Sequence, residues 1–288
     1  MAKRAVVVGI NDYAPIGGGG PDLRGCVNDA RDMANTLVIC GFPVPNIRIL
    51  TDRNATKANI LNYLRWLVST SVRGDSIVFY YSGHGTRVTN VGADLEIEGL
   101  DEAICPHDFN TAGFITDDVF KSIFDTLKPG VNLEVIFDCC HSGTGTRILF
   151  GPNFELNRIG VENDEYSAVR TIEPMLEDEF YYAFHREFET DENKKALPLK
   201  KALVPVSTLN HTLWAACKDN QVSMEGNIGG SIRGYFTYHF CRCLRSVSGN
   251  ITRRLLDAQV ANALHAMGAA QINQTESKNT EFAQRIFT

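Results

Sequence analysis

The stretch DSIVFYYSGHG, residues 75–85, decides the fold class: an apolar run, Ile77 to Tyr81, stops at Ser82-Gly83-His84-Gly85. Similar short runs occur at Ala5 to Ile10, Asn46 to Thr51 and Asn132 to Cys139, so strands are expected at all four places. Between them the apolar residues take a helical period. Val27, Ala30, Ala34, Leu37 and Val38 share one face, with Gly41 as C-cap, and Ile60, Leu61, Leu64, Leu67 and Val68 share another within Ala55 to Ser71. Thr116 is expected to cap a helix through Leu127, with Asp117 and Asp118 in its first turn. Strand alternating with helix predicts βαβ units around a mostly parallel sheet.

Gly85 to Pro106 lacks a helical period and reads as loop plus short hairpin. Beyond Arg147 the pattern dissolves for about fifty residues, broken by Pro152, Pro174 and Pro198. It returns with a strand at Leu213 to Cys217, helices at Tyr235 to Ser246 and Thr252 to Met267, and a last apolar strand at Phe282 to Phe287.

The chain has 288 residues, 44% hydrophobic and 22% charged, enough for a large core in one α/β domain or two small ones. No apolar run is long enough to cross a bilayer or act as a signal, and a cytoplasmic protein is expected. Eight cysteines without a C-x-x-C pair suggest neither a disulfide framework nor a zinc ribbon. The net charge is −6, and residues 161–195 hold eleven acids against four bases, so the acidity belongs to that segment. No Lys/Arg cluster suits a phosphate backbone, which argues against nucleic-acid partners. The glycines at 17–20 fit neither dinucleotide nor P-loop spacing and read as a loop near the cleft.

Two strands end in reactive turns, one at His84 and the other at Asp138-Cys139-Cys140-His141-Ser142. In a parallel sheet the carboxyl ends share one edge, so His84 and Cys140 can meet although 56 positions apart. An imidazole beside a thiol generates a thiolate and later protonates a leaving amine, and the N–H groups of Gly85 and Cys140 could hold an oxyanion. Cys139 is the rival nucleophile, but alternation sends it to the opposite face. His141 is turned away from its neighbour and reads as structural. Asp138, two residues before Cys140, and Asp29 on the first helix offer two carboxylates for a guanidinium or ammonium.

YSGHGT (81–86) and DCCHSGTGT (138–146) resemble the two catalytic signatures of metacaspases and orthocaspases. VVVGINDY, GCVNDARDM, GLDEAICPHDF, ITDD, WAACKDNQVSMEG and GYFTYHF extend that resemblance over most of the chain outside the acidic segment. It implies a caspase-like three-layer α/β/α sandwich. The expected chemistry is a cysteine endopeptidase with His84, Cys140 and Gly85 as catalytic groups, acting on proteins or peptides after Arg or Lys. The implied pocket for that basic residue is Cys26, Asp29, Ser82 and Asp138. Caspases proper build theirs from arginines, and Arg24 and Arg31 lie near Asp29.

The resemblance divides the chain into a large-subunit-like part (1–147), an acidic linker (148–206) and a small-subunit-like part (207–288), together one domain. It also implies self-cleavage in the linker, with candidates Arg147, Arg158, Arg170, Arg186, Lys194, Lys195, Lys200 and Lys201. Leu176 to Phe188 could instead form an inhibitory lid or a docking segment. Calcium is expected as an activator at most, on Asp101, Asp117 and Asp118, because Arg147 stands where a further acidic ligand would fall. The chemistry itself needs no cofactor. Monomers are expected, with room for an activating partner, and no membrane partner. The alternatives are a catalytically silent caspase-like signalling module and another cysteine hydrolase on a similar sheet.

Overall fold

A computed structural model describes residues 1–14, 21–89, 94–95, 100–140, 166–172, 199–200, 210–218 and 221–288. The central sheet contains β1 (Lys3–Gly9), β2 (Ile47–Thr51), β3 (Ser76–Ser82), β8 (Asn132–Asp138), β11 (Thr212–Ala215) and β14 (Gln274–Glu276), in the order β14-β11-β8-β3-β1-β2. Every pairing in it is parallel except β11 with β14. Four small strands, β4 (Gly85–Thr89), β5 (Asp94–Leu95), β6 (Leu100–Ile104) and β7 (Ile115–Thr116), follow β3. Later come β9 (Ser167–Val169), β10 (Leu199–Lys200), β12 (Met224–Ile228) and β13 (Ser231–Gly234).

The helices are α1 (Cys26–Ile39), α2 (Lys57–Ser69), α3 (Phe109–Ala112), α4 (Asp117–Phe124), α5 (Tyr235–Ser246), α6 (Arg253–Ala266) and α7 (Asn279–Phe282). Strand period two splits the core. Val6, Val8, Ile77, Phe79 and Tyr81 pack toward α2 and α4, while Ala5, Val7, Val78 and Tyr80 pack toward α1, α5 and α6. This is the three-layer α/β/α sandwich, with β1 and β3 buried on both faces as parallel strands require. Helix α1 closes in a Schellman turn: Gly41, at φ +86°, donates to Val38 O and Phe42 to Leu37 O.

Two sequence expectations are corrected, and one hairpin is added. Phe282–Phe287 is no strand: it begins at the end of α7, and Phe287 turns to φ +64° with Ile286 and Phe287 buried as a plug. The sheet instead ends in β14, whose polar sequence carries no apolar alternation. Thr116 occupies the N-cap of α4 without a side-chain cap bond, and Asp117 Oδ1 instead accepts from Asp118 N at 2.9 Å. The hairpin β12–β13 was not read from the sequence, although its Gly229-Gly230 turn, both glycines at positive φ, is a recognised hairpin signal.

Candidate active site

Register aligns the carboxyl ends of three strands: Gly9 lies beside Ser82, and Ser82 beside Asp138. Any Cβ on Gly9 would strike Cys26 O, so this glycine lets the start of α1 rest on the strand ends. Asn11 Oδ1 accepts from the N–H groups of Cys26 (2.8 Å) and Val27 (3.2 Å), supplying the cap that Gly25 lacks and bringing Asp29 over the same edge.

His84 follows β3 and is buried. Its N–H donates to Tyr13 Oη (2.7 Å) and its carbonyl accepts from Tyr81 Oη (2.7 Å), so two tyrosines clamp its backbone. Nε2 lies 2.6 Å from Pro21 O. A carbonyl only accepts, so Nε2 carries the proton and Nδ1 the lone pair; Nδ1 is buried without a partner among the described residues. Burial lowers the imidazole pKa to about 4, outweighing Pro21 and the acids Glu225 and Asp22, so the ring is neutral.

Cys140 lies one residue beyond Cys139, after β8. The Cys139 side chain points into the core on the α2/α4 face, and burial pushes its thiol pKa far up. Cys140 packs instead against Cys217 and Val222, its sulfur receiving the N–H of Ser223 and lying 3.4 Å from Ser223 O. His141 and the glycines at 17–20 lie outside the described residues.

The cleft between these strand ends is filled by the chain's own segment 166–172. Strand β9 pairs antiparallel with β12, Val169 opposite Met224 and Ser167 opposite Gly226. Arg170 N donates to Ser223 O (3.0 Å). Arg170 O accepts from both Gly85 N (3.2 Å) and Cys140 N (3.1 Å). Ile172 N then donates to Gly85 O (3.0 Å), so the segment runs from β12 across Cys140 to β4.

The Arg170 side chain is fully buried. One terminal nitrogen lies 2.8 Å from Ser82 Oγ and 3.1 Å from Asp138 Oδ2; the other lies 2.6 Å from Asp29 Oδ2 and 3.0 Å from Glu225 Oε2. The acids are themselves held. Asp29 accepts from Gly234 N, Asp138 from Ser223 Oγ and from Thr237 N and Oγ1, and Glu225 from Arg24 N, Gly25 N and Tyr166 Oη. Cys26 stands behind, its thiol 3.7 Å from Glu225 Oε2. Burial raises Asp29 to about 6, with Asp138 adding to the rise and Arg170 opposing it. Burial would raise Glu225 too, but Arg170, Tyr166 and the Arg24 N–H together bring it below the usual carboxylate range.

Comparison with known proteins follows the same lines. A profile of the metacaspase peptidase C14 domain matches residues 3–148. Metacaspase-1 of Ajellomyces capsulatus is 31% identical over 261 residues, covering 84% of this chain and 71% of that protein. The chain belongs to the metacaspase family. Metacaspase-1A of Aspergillus oryzae is 34% identical over 269 residues, 84% of this chain and 60% of its own length, and Metacaspase-1A of Aspergillus clavatus is 33% identical. This metacaspase therefore spans about 60% of those Aspergillus relatives. A crystal structure of a Geobacter sulfurreducens protein shares the fold at a TM-score of 0.72 and 24% identity, covering 100% of this chain and 99% of that one.

Sequence reasoning missed Pro21, Ser223, Glu225 and Gly234. Ser223 and Glu225 lie in WAACKDNQVSMEG and Gly234 opens GYFTYHF, stretches that carry the resemblance but to which no role is given there; Pro21 carries no sequence signal. Gly234 leaves room for the guanidinium, since a Cβ there would fall 2.6 Å from an Arg170 terminal nitrogen and 2.8 Å from Asp29 Oδ2.

For calcium, β6 pairs Ala103 with Thr116, which stands directly before Asp117 and Asp118 at the start of α4, while the side chain of Asp101, like Arg147, lies outside the described residues. Carboxylate oxygens are the donors that a hard cation takes. Among the described side chains no group of three or more His, Cys, Asp or Glu residues gathers as for a metal, and no described helix is long and apolar enough to cross a membrane.

Proposed function

We propose that this metacaspase is a cysteine endopeptidase hydrolysing peptide bonds after Arg or Lys, and that its first substrate is its own Arg170–Thr171 bond. The observation carrying this reading is Arg170 itself. Its side chain fills a pocket of three carboxylates while its carbonyl oxygen accepts from Gly85 N and Cys140 N, as a scissile carbonyl would.

Nδ1 of His84 takes the Cys140 proton, and the sulfur attacks the carbonyl carbon. The oxyanion is held by the N–H groups of Gly85 and Cys140. Collapse breaks the C–N bond, His84 protonates the leaving amine, and a thioester remains. Water, deprotonated at the same Nδ1, hydrolyses it and restores the thiol. Pro21 O keeps the ring in the tautomer that leaves Nδ1 basic. Antiparallel pairing on β12 suggests that other protein substrates add to that edge as extended strands.

Cleavage after Arg170 falls in the linker 148–206 and would separate the parts 1–147 and 207–288. No step is assigned to a metal; Asp101, Asp117 and Asp118 would hold calcium as an activator. The test combines mass spectrometry of the purified chain with hydrolysis of peptides ending in Arg, Lys or Asp, with calcium or a chelator. Wild type should show a new terminus at Thr171 and cleave arginyl and lysyl peptides, while Cys140→Ala should do neither. Cleavage after Asp, or an intact and inactive wild type under every condition, would overturn the reading in favour of another pocket or a silent binding module.

A further inference from the structure

We infer that Glu225 is a specificity residue that makes the pocket prefer arginine to lysine; the inference rests on the peptidase reading above. The two terminal nitrogens of the guanidinium are read separately. Ser82 and Asp138 take one, Asp29 and Glu225 the other.

A lysine carries one nitrogen at the end of a stem one bond shorter, and a point charge cannot span two acceptor sets as a planar fork does. An ammonium can sit between Asp29 and Asp138, whose carboxylates come close enough together that a Cβ on Gly234 would touch both. Glu225 bonds only the nitrogen that it shares with Asp29, not the one held by Ser82 and Asp138, so an ammonium drawn to both aspartates leaves Glu225 without the direct bond that a guanidinium makes.

The carboxylate is built for this. Glu225 is fully buried, and its position is fixed by Arg24 N (2.8 Å) and Gly25 N (3.1 Å), so reaching the guanidinium requires no reorganisation. In Glu225→Gln the amide oxygen can still accept from Arg24 N, while the amide nitrogen in place of Oε2 gives up the Gly25 N–H bond. The variant leaves the Asn11 cap of α1 in place and removes the charge that faces Arg170.

The experiment measures kcat/KM on matched arginyl and lysyl peptides for wild type, Glu225→Gln and Glu225→Asp, with active sites counted by a covalent thiol inhibitor. A lost charged hydrogen bond lowers the arginyl rate by about tenfold or more. The lysyl rate falls less, so the Arg/Lys ratio drops at least about fivefold in Glu225→Gln and is partly restored in Glu225→Asp. Equal losses on both peptides would overturn the role of Glu225 and leave the peptidase reading intact; a wild type cleaving neither would overturn both. Should the Gln variant fold poorly, the self-cleaving chain supplies the same reading without it. Arg170→Lys in an otherwise native chain should slow the cut at residue 170 by about fivefold or more, and an unchanged rate would refute the preference.

Discussion

Two fully buried arginines stand at opposite ends of β8. Arg253, from α6, meets Glu134 near the amino end: Nε and one terminal nitrogen bond Glu134, that nitrogen also bonds Asn132 Oδ1 (2.7 Å), and the other bonds Glu281 O (3.1 Å). Trp214 Nε1 satisfies the second Glu134 oxygen at 2.8 Å. One cation faces one anion, and every nitrogen is used. Arg170, at the carboxyl end, faces three carboxylates, yet its Nε is buried without a partner among the described residues. A permanent buried ion pair is balanced and saturated because any shortfall costs stability. The surplus of negative charge around Arg170 belongs to the body of the protein, as the proposed pocket for an exchanging guanidinium requires.

Removing each arginine in a Cys140→Ala background tests that contrast most strongly. Arg253→Ala leaves Glu134 buried and unpaired, and the free energy of unfolding in urea should fall by about 3–5 kcal/mol. Arg170→Ala should cost less than half of that, because segment 166–172 can leave and water can reach the acids. Equal losses would mean that the Arg170 cluster is structural.

Next in size is Gly234→Ala, which fills the space beside the guanidinium. Arginyl peptide kcat/KM should drop by about a hundredfold, or about 2.7 kcal/mol, and since the added Cβ also meets the Asp138 and Asp29 carboxylates some melting temperature is lost with it, so the rate is taken per inhibitor-titrated site. Full activity in that variant would remove the pocket from the argument.

The smallest effect is on pH dependence. His84 sits at about 4 in the closed site against 6.5 when exposed, so its contribution to the closed form is whole above pH 6.5 and is lost as pH falls toward 4. Asp29, raised from 3.8 to about 6, works in the opposite sense, because the closed form gains a proton as pH falls through 6. The two largely offset. Asp29→Asn in the Cys140→Ala chain should therefore expose an acid-induced loss on the order of 2 kcal/mol between pH 6.5 and 4, capped by opening of the cleft. A flat stability profile in the double variant would refute the burial of His84.

Strands β1, β3 and β8 were legible because parallel strands buried on both faces carry continuous apolar runs, Ala5–Val8, Ile77–Tyr81 and Val135–Phe137, and the turns after Ser82 and Asp138 declare themselves through histidine and cysteine. Asp29 could be read from its helix and Asp138 from its spacing to Cys140. Glu225 could not, since it reaches Arg24 and Gly25 across about 200 positions and only tertiary closure joins them. Pro21 acts through a carbonyl that every residue possesses. β9 escaped notice because Ser167-Ala-Val169 is three residues long, and its pairing with β12 comes from occupying the cleft rather than from any pattern of its own.

All eight cysteines are free; seven are buried and Cys243 partly so. Burial raises the thiols of Cys26, Cys105 and Cys139 well above their ordinary pKa and that of Cys40 to about 11, which suppresses their reaction with alkylating reagents. Cys140 is shielded by segment 166–172 rather than by the core. Once that segment withdraws, one further sulfur becomes available, so each additional carbamidomethyl group in an intact-mass spectrum would count an opened molecule and time its opening without any peptide substrate.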